Sequence, residues 1–491
     1  MAPPPNRQRR DLTQGPITRT LLLFSLPLLG GNALQSLNGT VNQIWVSHTL
    51  GENAITALGN ANIVMMLMQG AMFGVAMAAN ILIGQAMGAK DTALVKQVVG
   101  TATTFFLGLS LLVSLTGGLL SPYILDLMRT PPEARVDAII YLRIIFAAIP
   151  FMNYFLFMQM AQRGVGDSAT PFWFLLLAIG IDITFNPLLI RGIGPFPRLG
   201  IAGSATSTLI GQGVALTALL VHLHRKKSIL MLKRSELHLL KPDMAILRSL
   251  ATRGLPMGLQ MLLMSGAAVV MISLVNRYGA LMSAAYSTSS IIWSYLQMPT
   301  MAIGASVSAM AAQNVGAGRW DRVAMVARSG VISGLVVTGA IALFLYVFND
   351  LVLSILLPGH SPALPLARHI NTTVLWGFVL FSVSFALTGV VRSTGAVWWP
   401  LIMMAIALLG IRVPFAMIMS ARFGADAIWW SFPLGSIASA AFAALYYRFG
   451  GWKHAHMLRG RAHGQAPDTG MATPAMVAGR VREPAAETVA S

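Results

Sequence analysis

Long apolar runs constrain this chain more than any other feature. A helix needs about 20 mostly apolar residues to cross a bilayer. Twelve stretches meet that length: 17–47, 55–84, 94–120, 136–162, 170–191, 199–223, 246–276, 282–314, 324–349, 366–391, 397–420 and 425–449. Their residues do not alternate as barrel strands would. No soluble surface can be built around them, because only 10% of the 491 residues are charged, against about 25% in a soluble domain. The expected fold is an all-α integral membrane protein with twelve transmembrane helices. The chain has no Cys, which excludes a disulfide scaffold and a Cys-based metal or redox site. The nine His are scattered, with His222 and His224 beside a basic linker. A membrane enzyme would need them clustered, so neither enzyme chemistry nor a cofactor or metal is expected.

The formal charge of +18 invites a nucleic-acid reading, which the placement of the charges opposes. Twenty-five of the 34 Lys and Arg fall in the tails, the central linker and the loops on the same side as both ends. Eight fall on the opposite side, some of either set at span ends, and Arg412 alone lies deep inside a span. This bias sets orientation and meets anionic lipid headgroups. It predicts a multi-pass protein of the plasma (inner) membrane with both termini cytoplasmic. Residues 1–16, MAPPPNRQRRDLTQGP, lack an apolar core and read as a cytoplasmic tail, not a signal peptide. Residues 451–491 mix Gly, Ala, Pro and Arg without periodicity and read as a second, disordered tail.

The basic linker 224–245 splits the spans six and six. The two halves then align at a nearly constant offset. Pro27 matches Pro256 at 229 residues, and Gln85, Gly88 and Ala89 match Gln313, Gly316 and Ala317 at 228. Arg163, Gly166 and Pro171 match Arg392, Gly395 and Pro400, again at 229. Each half has an even number of spans, so the repeat is parallel. Two pseudo-symmetric six-helix lobes, 17–223 and 246–450, are therefore expected. Duplicated bundles of this kind mark transporters, with the substrate path between the lobes.

The stretch NQIWVSHTLGENAITALG (42–59), the segment GQAMGAKD (84–91) with its echo AQNVGAGRWD (312–321), and RGVGDSATP (163–171) with its echo RSTGAVWWP (392–400) resemble the multidrug and toxic compound extrusion transporters, the MATE family. The similarity covers about residues 15–450. It implies two lobes in a V, export of organic cations and amphiphiles by alternating access, and coupling to inward H+ or Na+.

Of sixteen acids, Asp182 alone sits mid-span, in WFLLLAIGIDITFNPLLI. An ionisable group there is costly in lipid and should face a polar interior, where it can exchange a proton. Asn186 shares its helix face, and Pro187 frees the Ile183 carbonyl. Gln35, Asn38 and Asn42 recur on one face of the first span. Span 4 adds Asn153 and Tyr154, and span 6 adds Thr206. Together these are read as a coupling network around Asp182. The chain departs from the family it resembles. Many members carry an Asp in the first span where this one has Asn42, and they show Asn, three residues, then Asp-Pro in the fifth, the reverse of Asp182 and Asn186. Acids known from the Na+-linked branch are missing from spans 7 and 10. H+ is favoured, with weak Na+ binding by Asp182, Asn186, Asn42 and carbonyls left open.

The expected substrate surface combines Met and aromatic residues, which suit promiscuous and cationic ligands. Gln260 and Met264 in span 7 belong to it, as do Tyr286, Trp293, Tyr295, Gln297 and Met298 in span 8 and Trp376 in span 10. Trp398, Trp399, Trp429 and Trp430 read as interface anchors. Arg412 has no readable partner and could meet an anionic group. The expected partners are small amphiphilic or cationic compounds and membrane lipids, with the protein a monomer. The alternative reading is a flippase for a lipid-linked saccharide, which would need cationic residues lining the cleft.

Overall fold

In the computed structural model the described residues are 11–50, 52–357 and 361–458, and their regular structure is helical throughout. The first half forms α1 (Ile17–Leu50), α2 (Glu52–Gly88), α3 (Thr92–Leu127), α4 (Pro132–Gly164), α5 (Ala169–Arg191) and α6 (Ile201–Arg225). A short 3-10 helix, Arg234–Leu240, lies in the linker. The second half forms α7 (Met244–Asn276), α8 (Ala280–Gly316), α9 (Trp320–Val347), the short α10 (Asn349–Leu356) and α11 (Ala363–Arg392). It continues as α12 (Trp398–Ala405), a π-helical segment Ile406–Arg412, α13 (Val413–Phe423) and α14 (Asp426–Phe449). The segments from α12 through α13 run on as one span, so twelve spans result. Eleven of them are apolar and long enough to cross a membrane by composition. The twelfth, α8, is 37 residues long but more polar. Its Ser289, Thr300, Ser306 and Ser308 are buried among neighbouring helices.

Several acids that the sequence places in loops start these helices. The Asp91 carboxylate accepts from Leu94 N at 2.9 Å, and that of Asp243 accepts from Ala245 N at 2.8 Å. Asp167 accepts from Thr170 N at 3.0 Å. Each satisfies donors that a helix start leaves orphaned.

The helices pack as two bundles, α1–α6 and α7–α14, joined by exchanged contacts. α7 packs along α2 of the other half, and α1 packs along α8. α2 and α8 then meet each other, as elements flanking a pseudo-two-fold axis must. The α2–α7 contact uses Gly70 and Gly74 against Gly254 and Gly258, a four-residue glycine spacing on each helix. A Cβ on Gly258 would lie 2.8 Å from the Gly70 carbonyl oxygen. Small residues at this spacing let membrane helices approach backbone to backbone.

The tightest contact sits at the end that carries the linker. A Cβ on Gly88 would collide with the Gln313 carbonyl, and a Cβ on Gly316 with the Gln85 carbonyl. The side chains of the same pair repeat the exchange. Gln85 Nε2 donates to Ser393 O at 2.6 Å, and Gln313 Nε2 donates to Gly164 O at 2.8 Å. These are the residues matched by the internal offset, now paired across the axis.

Chain outside the expected lobes caps this end. Leu12 is fully buried, with its N–H on Gln313 Oε1 at 3.1 Å and its carbonyl taking Asn314 Nδ2 at 3.1 Å. Trp452 is buried too and stacks on Tyr447 with centroids 5.2 Å apart. The packed body thus extends beyond the expected boundaries at 16 and 450, because apolar Leu12 and Trp452 find cover. The rest of both tails lies outside the described residues. The linker is fastened to α3 by a Lys96–Glu236 ion pair and by Thr104 Oγ1 on Leu240 O at 2.6 Å. The Lys233 N–H and the Lys96 ammonium hold the Glu236 carboxyl below its ordinary value.

Because no atom can be added at Gly88 without parting α2 from α8, Gly88→Ala should cost about 1–3 kcal/mol in overpacking. A lowered thermal midpoint of purified protein in detergent reads it, with Gly59→Ala, at a position where a Cβ meets open space, as the control.

Candidate functional site

A buried carboxylate organises the first bundle. Gly203, Ser207 and Gly211 recur every four residues on α6, and the two glycines let α6 lie directly on the α5 backbone. A Cβ at Gly211 would meet the Ala178 carbonyl at 2.7 Å, and one at Gly203 would meet the Leu189 carbonyl at 2.6 Å. The hydroxyl between them therefore reaches α5, where Ser207 Oγ donates to Asp182 Oδ1 at 2.5 Å. Thr208 Oγ1 donates to the same oxygen at 3.2 Å. From α1, Asn38 Nδ2 donates to Asp182 Oδ2 at 3.0 Å. Asp182 is 5% exposed, and three donors from two other helices replace the water it has lost.

One turn along, a second node joins the same helices. Asn42 Oδ1 accepts from Asn186 Nδ2 at 2.8 Å and from Ser204 Oγ at 2.7 Å. The Tyr141 hydroxyl of α4 hydrogen-bonds Asn42. Four helices thus converge on two linked polar nodes.

The structure brings Asp182, Asn186, Asn42 and Asn38 together and leaves four other expected members apart. Gln35 is exposed. Thr206 turns back to Ala202 O at 2.7 Å. Asn153 donates to Ser110 Oγ at 3.0 Å, and Tyr154 pairs with Thr103 Oγ1 at 3.3 Å, both on the α3–α4 contact. Spacing in the sequence missed Tyr141, Ser204, Ser207 and Thr208. Their signal was the run of hydroxyls at i, i+3 and i+4 on α6, interleaved with glycines, in a helix facing the intramembrane acid.

A cavity of about 500 Å³ opens mainly within the second bundle. Gln260, Met264, Tyr286, Trp293 and Gln297 line it as expected, with Phe73 and Met77 contributed by α2. Tyr295, Met298 and Trp376 do not. Tyr295 is 56% exposed, and Trp376 turns to Trp430, 6.4 Å away. Trp429 is no interface anchor: it is 1% exposed and stacks on Tyr286 with centroids 6.0 Å apart, because α14 turns it toward α8. Trp398, Trp399 and Trp430 are exposed. Trp293 is held by its Nε1–H on Asn371 Oδ1 at 3.0 Å. The cavity wall also carries Arg392 and Arg412, and none of its lining residues is acidic. Among the described residues, no group of three or more His, Cys, Asp or Glu could hold a metal ion.

Asn42→Leu should leave Asn186 Nδ2 and Ser204 Oγ without their acceptor, at about 1–3 kcal/mol. Gln35→Leu should change stability by less than about 0.5 kcal/mol. Thermal midpoints of the two variants side by side check this.

Comparison with known proteins agrees with this architecture. The MatE family model matches the chain twice, over residues 27–188 and 256–418, once in each half. The probable multidrug resistance protein YoeA of Bacillus subtilis is 34% identical over 445 residues, covering 90% of this chain and 96% of that protein. The multidrug export protein MepA of Staphylococcus aureus is 24% identical, over 88% of this chain and 94% of its own length. A solved structure described as the outward-facing conformation of a multidrug resistance MATE family transporter shares the fold. Its TM-score is 0.82 at 20% identity, covering 89% of this chain and 96% of that one. A twelve-helix duplicated fold, both halves matched by one family model, and a relative similar along nearly its full length together place the chain in the MATE family of multidrug efflux transporters, which are not enzymes.

Proposed function

We propose that this protein is a proton-coupled antiporter that exports amphiphilic small molecules, organic cations among them, as a monomer in the plasma membrane. Its two lobes, 17–223 and 246–450, rock against each other and open and close the linker-end contact. The Lys and Arg bias puts that end in the cytoplasm, so the packed contact there corresponds to an outward-facing arrangement.

The observation that carries the coupling assignment is the tether between Asp182 on α5 and Asn38 on α1. Ionised, Asp182 accepts from Asn38 and from two hydroxyls of α6. A proton arriving on Oδ2 makes that oxygen a donor. Ser207 and Thr208 can reverse their hydroxyls, but the Asn38 NH2 cannot accept. Its hydrogen bond loses its charge assistance and is weakened unless the amide turns over. Since α1 also packs against α8 of the other lobe, loosening α1 reaches the lobe interface. Substrate that favours the ionised form lowers proton affinity by the same factor.

This donor set favours H+ over Na+. A sodium ion needs several free oxygen ligands; Asn38 turns its NH2 toward the carboxylate and Asn42 Oδ1 already serves two donors, while Asn186 Oδ1 is a buried amide oxygen without a partner. The amide orientations follow from the hydrogen-bond network itself.

Asp182→Asn should abolish pH-driven substrate uptake into everted membrane vesicles, while exchanging Na+ for K+ leaves the wild type unchanged. Wild-type uptake with unaltered pH dependence in the variant would refute the assignment.

A further inference from the structure

The cavity in the second bundle carries positive charge that nothing in it balances. Arg412 ends the π-helical segment. That wide turn has a local cause: Pro414 has no N–H to give the Gly410 carbonyl, so the ladder slips to the wider register. Arg412 is left facing inward, its guanidinium 3.5 Å from the centre of the Phe432 ring. The ring offers only part of what a desolvated cation needs. Arg392, at the linker end of α11, reaches Gln260 Oε1 at 3.4 Å.

Around these two cations, polar atoms are left over. Arg412 Nε, Arg392 Nε, Gln260 Nε2 and Ser439 Oγ are buried without a hydrogen-bond partner. Gln260 is 7% and Ser439 5% exposed, and both line the cavity. All four atoms can donate, so the unsatisfied set asks for an acceptor. The remaining wall is apolar, with Met257, Met264, Met403, Phe378 and Phe385. Along the helix from 398 to 412, Arg412 lies about 20 Å deep, at the level of the membrane interior. Buried cations without counter-charge are costly, and guanidinium is suited to carboxylate, sulfonate and phosphate oxygens.

We propose that this cavity binds amphiphiles by an anionic group, with Arg412 as the main counter-charge and Arg392 as a second one nearer the linker end. The flippase alternative asked for cationic residues lining the cleft, and here there are two. The ligand chemistry, an anionic head on an apolar body, fits either a free compound or a lipid headgroup. The inference rests on the export reading only for what binding leads to; the site itself is independent of Asp182.

A matched pair of probes tests it. 8-Anilinonaphthalene-1-sulfonate carries a sulfonate, and N-phenyl-1-naphthylamine is the same body without one. Full-length protein in phosphatidylcholine nanodiscs is titrated with each, with empty nanodiscs subtracted. Arg412→Gln should weaken the sulfonate about tenfold or more, the double variant with Arg392→Gln further, and Arg412→Lys less than Arg412→Gln. The uncharged probe should stay within about twofold throughout, which also reports an intact cavity. Adding phosphatidylglycerol to the nanodiscs separates the sources. Competition with the sulfonate in wild type, lost in Arg412→Gln, supports the site with a lipid headgroup as occupant; no competition supports it with a free compound. Unchanged sulfonate affinity in the double variant, or equal loss of both probes, would overturn the proposal. A failed coupling assignment would leave these titrations untouched, because they need no pH gradient and an intact Asp182 is common to every variant.

Discussion

Two helices can touch backbone to backbone only where side chains are absent, and this fold hangs on one such place. Gly88 and Gly316 admit each other's neighbouring carbonyls, and Gln85 and Gln313 fasten the crossing to Ser393 and Gly164. Each half gives the other the same pair of contacts. The duplication is thus a mechanical statement as well as a sequence pattern. Equivalent residues meet at a pseudo-two-fold axis. Leu12 and Trp452 pack over this end and shield the amide pairs from water, which raises their worth.

From that joint the bundles differ in what they hold. The first concentrates its polarity around a carboxylate whose every partner is a donor. The second lines an apolar, sulfur-rich cavity with two arginines and no acid. On the proposed reading, one lobe gains and loses a proton and the other recognises a molecule with an apolar body. α1 connects them, since it supplies Asn38 and Asn42 to the first site and lies along α8, which lines the second.

The span plan was legible in the sequence because lipid imposes a length and a composition that few other constraints mimic. The repeat was legible because glycine and glutamine at the axis have no substitutes of equal size and hydrogen-bonding capacity. Asp182 stood out by cost alone. Its partners were harder to read, since one sequence shows which residues share a helix face and not which face meets which helix. Asn38 and Asn42 were found on that basis, but so was Gln35, which points outward. Tyr141 gave no local signal, as its role depends on how α4 packs against α6 and its other neighbours. Ser204, Ser207 and Thr208 look like ordinary helix packing until Gly203 and Gly211 are seen to press α6 onto α5. Arg392 looked like a cytoplasmic loop charge. α11 carries it to the cavity instead.

If the lobes rock as proposed, the bundles part at the linker end in every transport cycle. Gly84 and Ala312 face each other across α2 and α8, where a Cβ on Gly84 would lie 3.0 Å from that of Ala312, close to disulfide range. The chain has no Cys of its own, so Gly84→Cys with Ala312→Cys gives a single defined cross-link. Substrate export is then measured before oxidation, after it, and after reduction. Export should stop on oxidation and recover on reduction; export by fully cross-linked protein at the reduced rate would show that the linker end need not open.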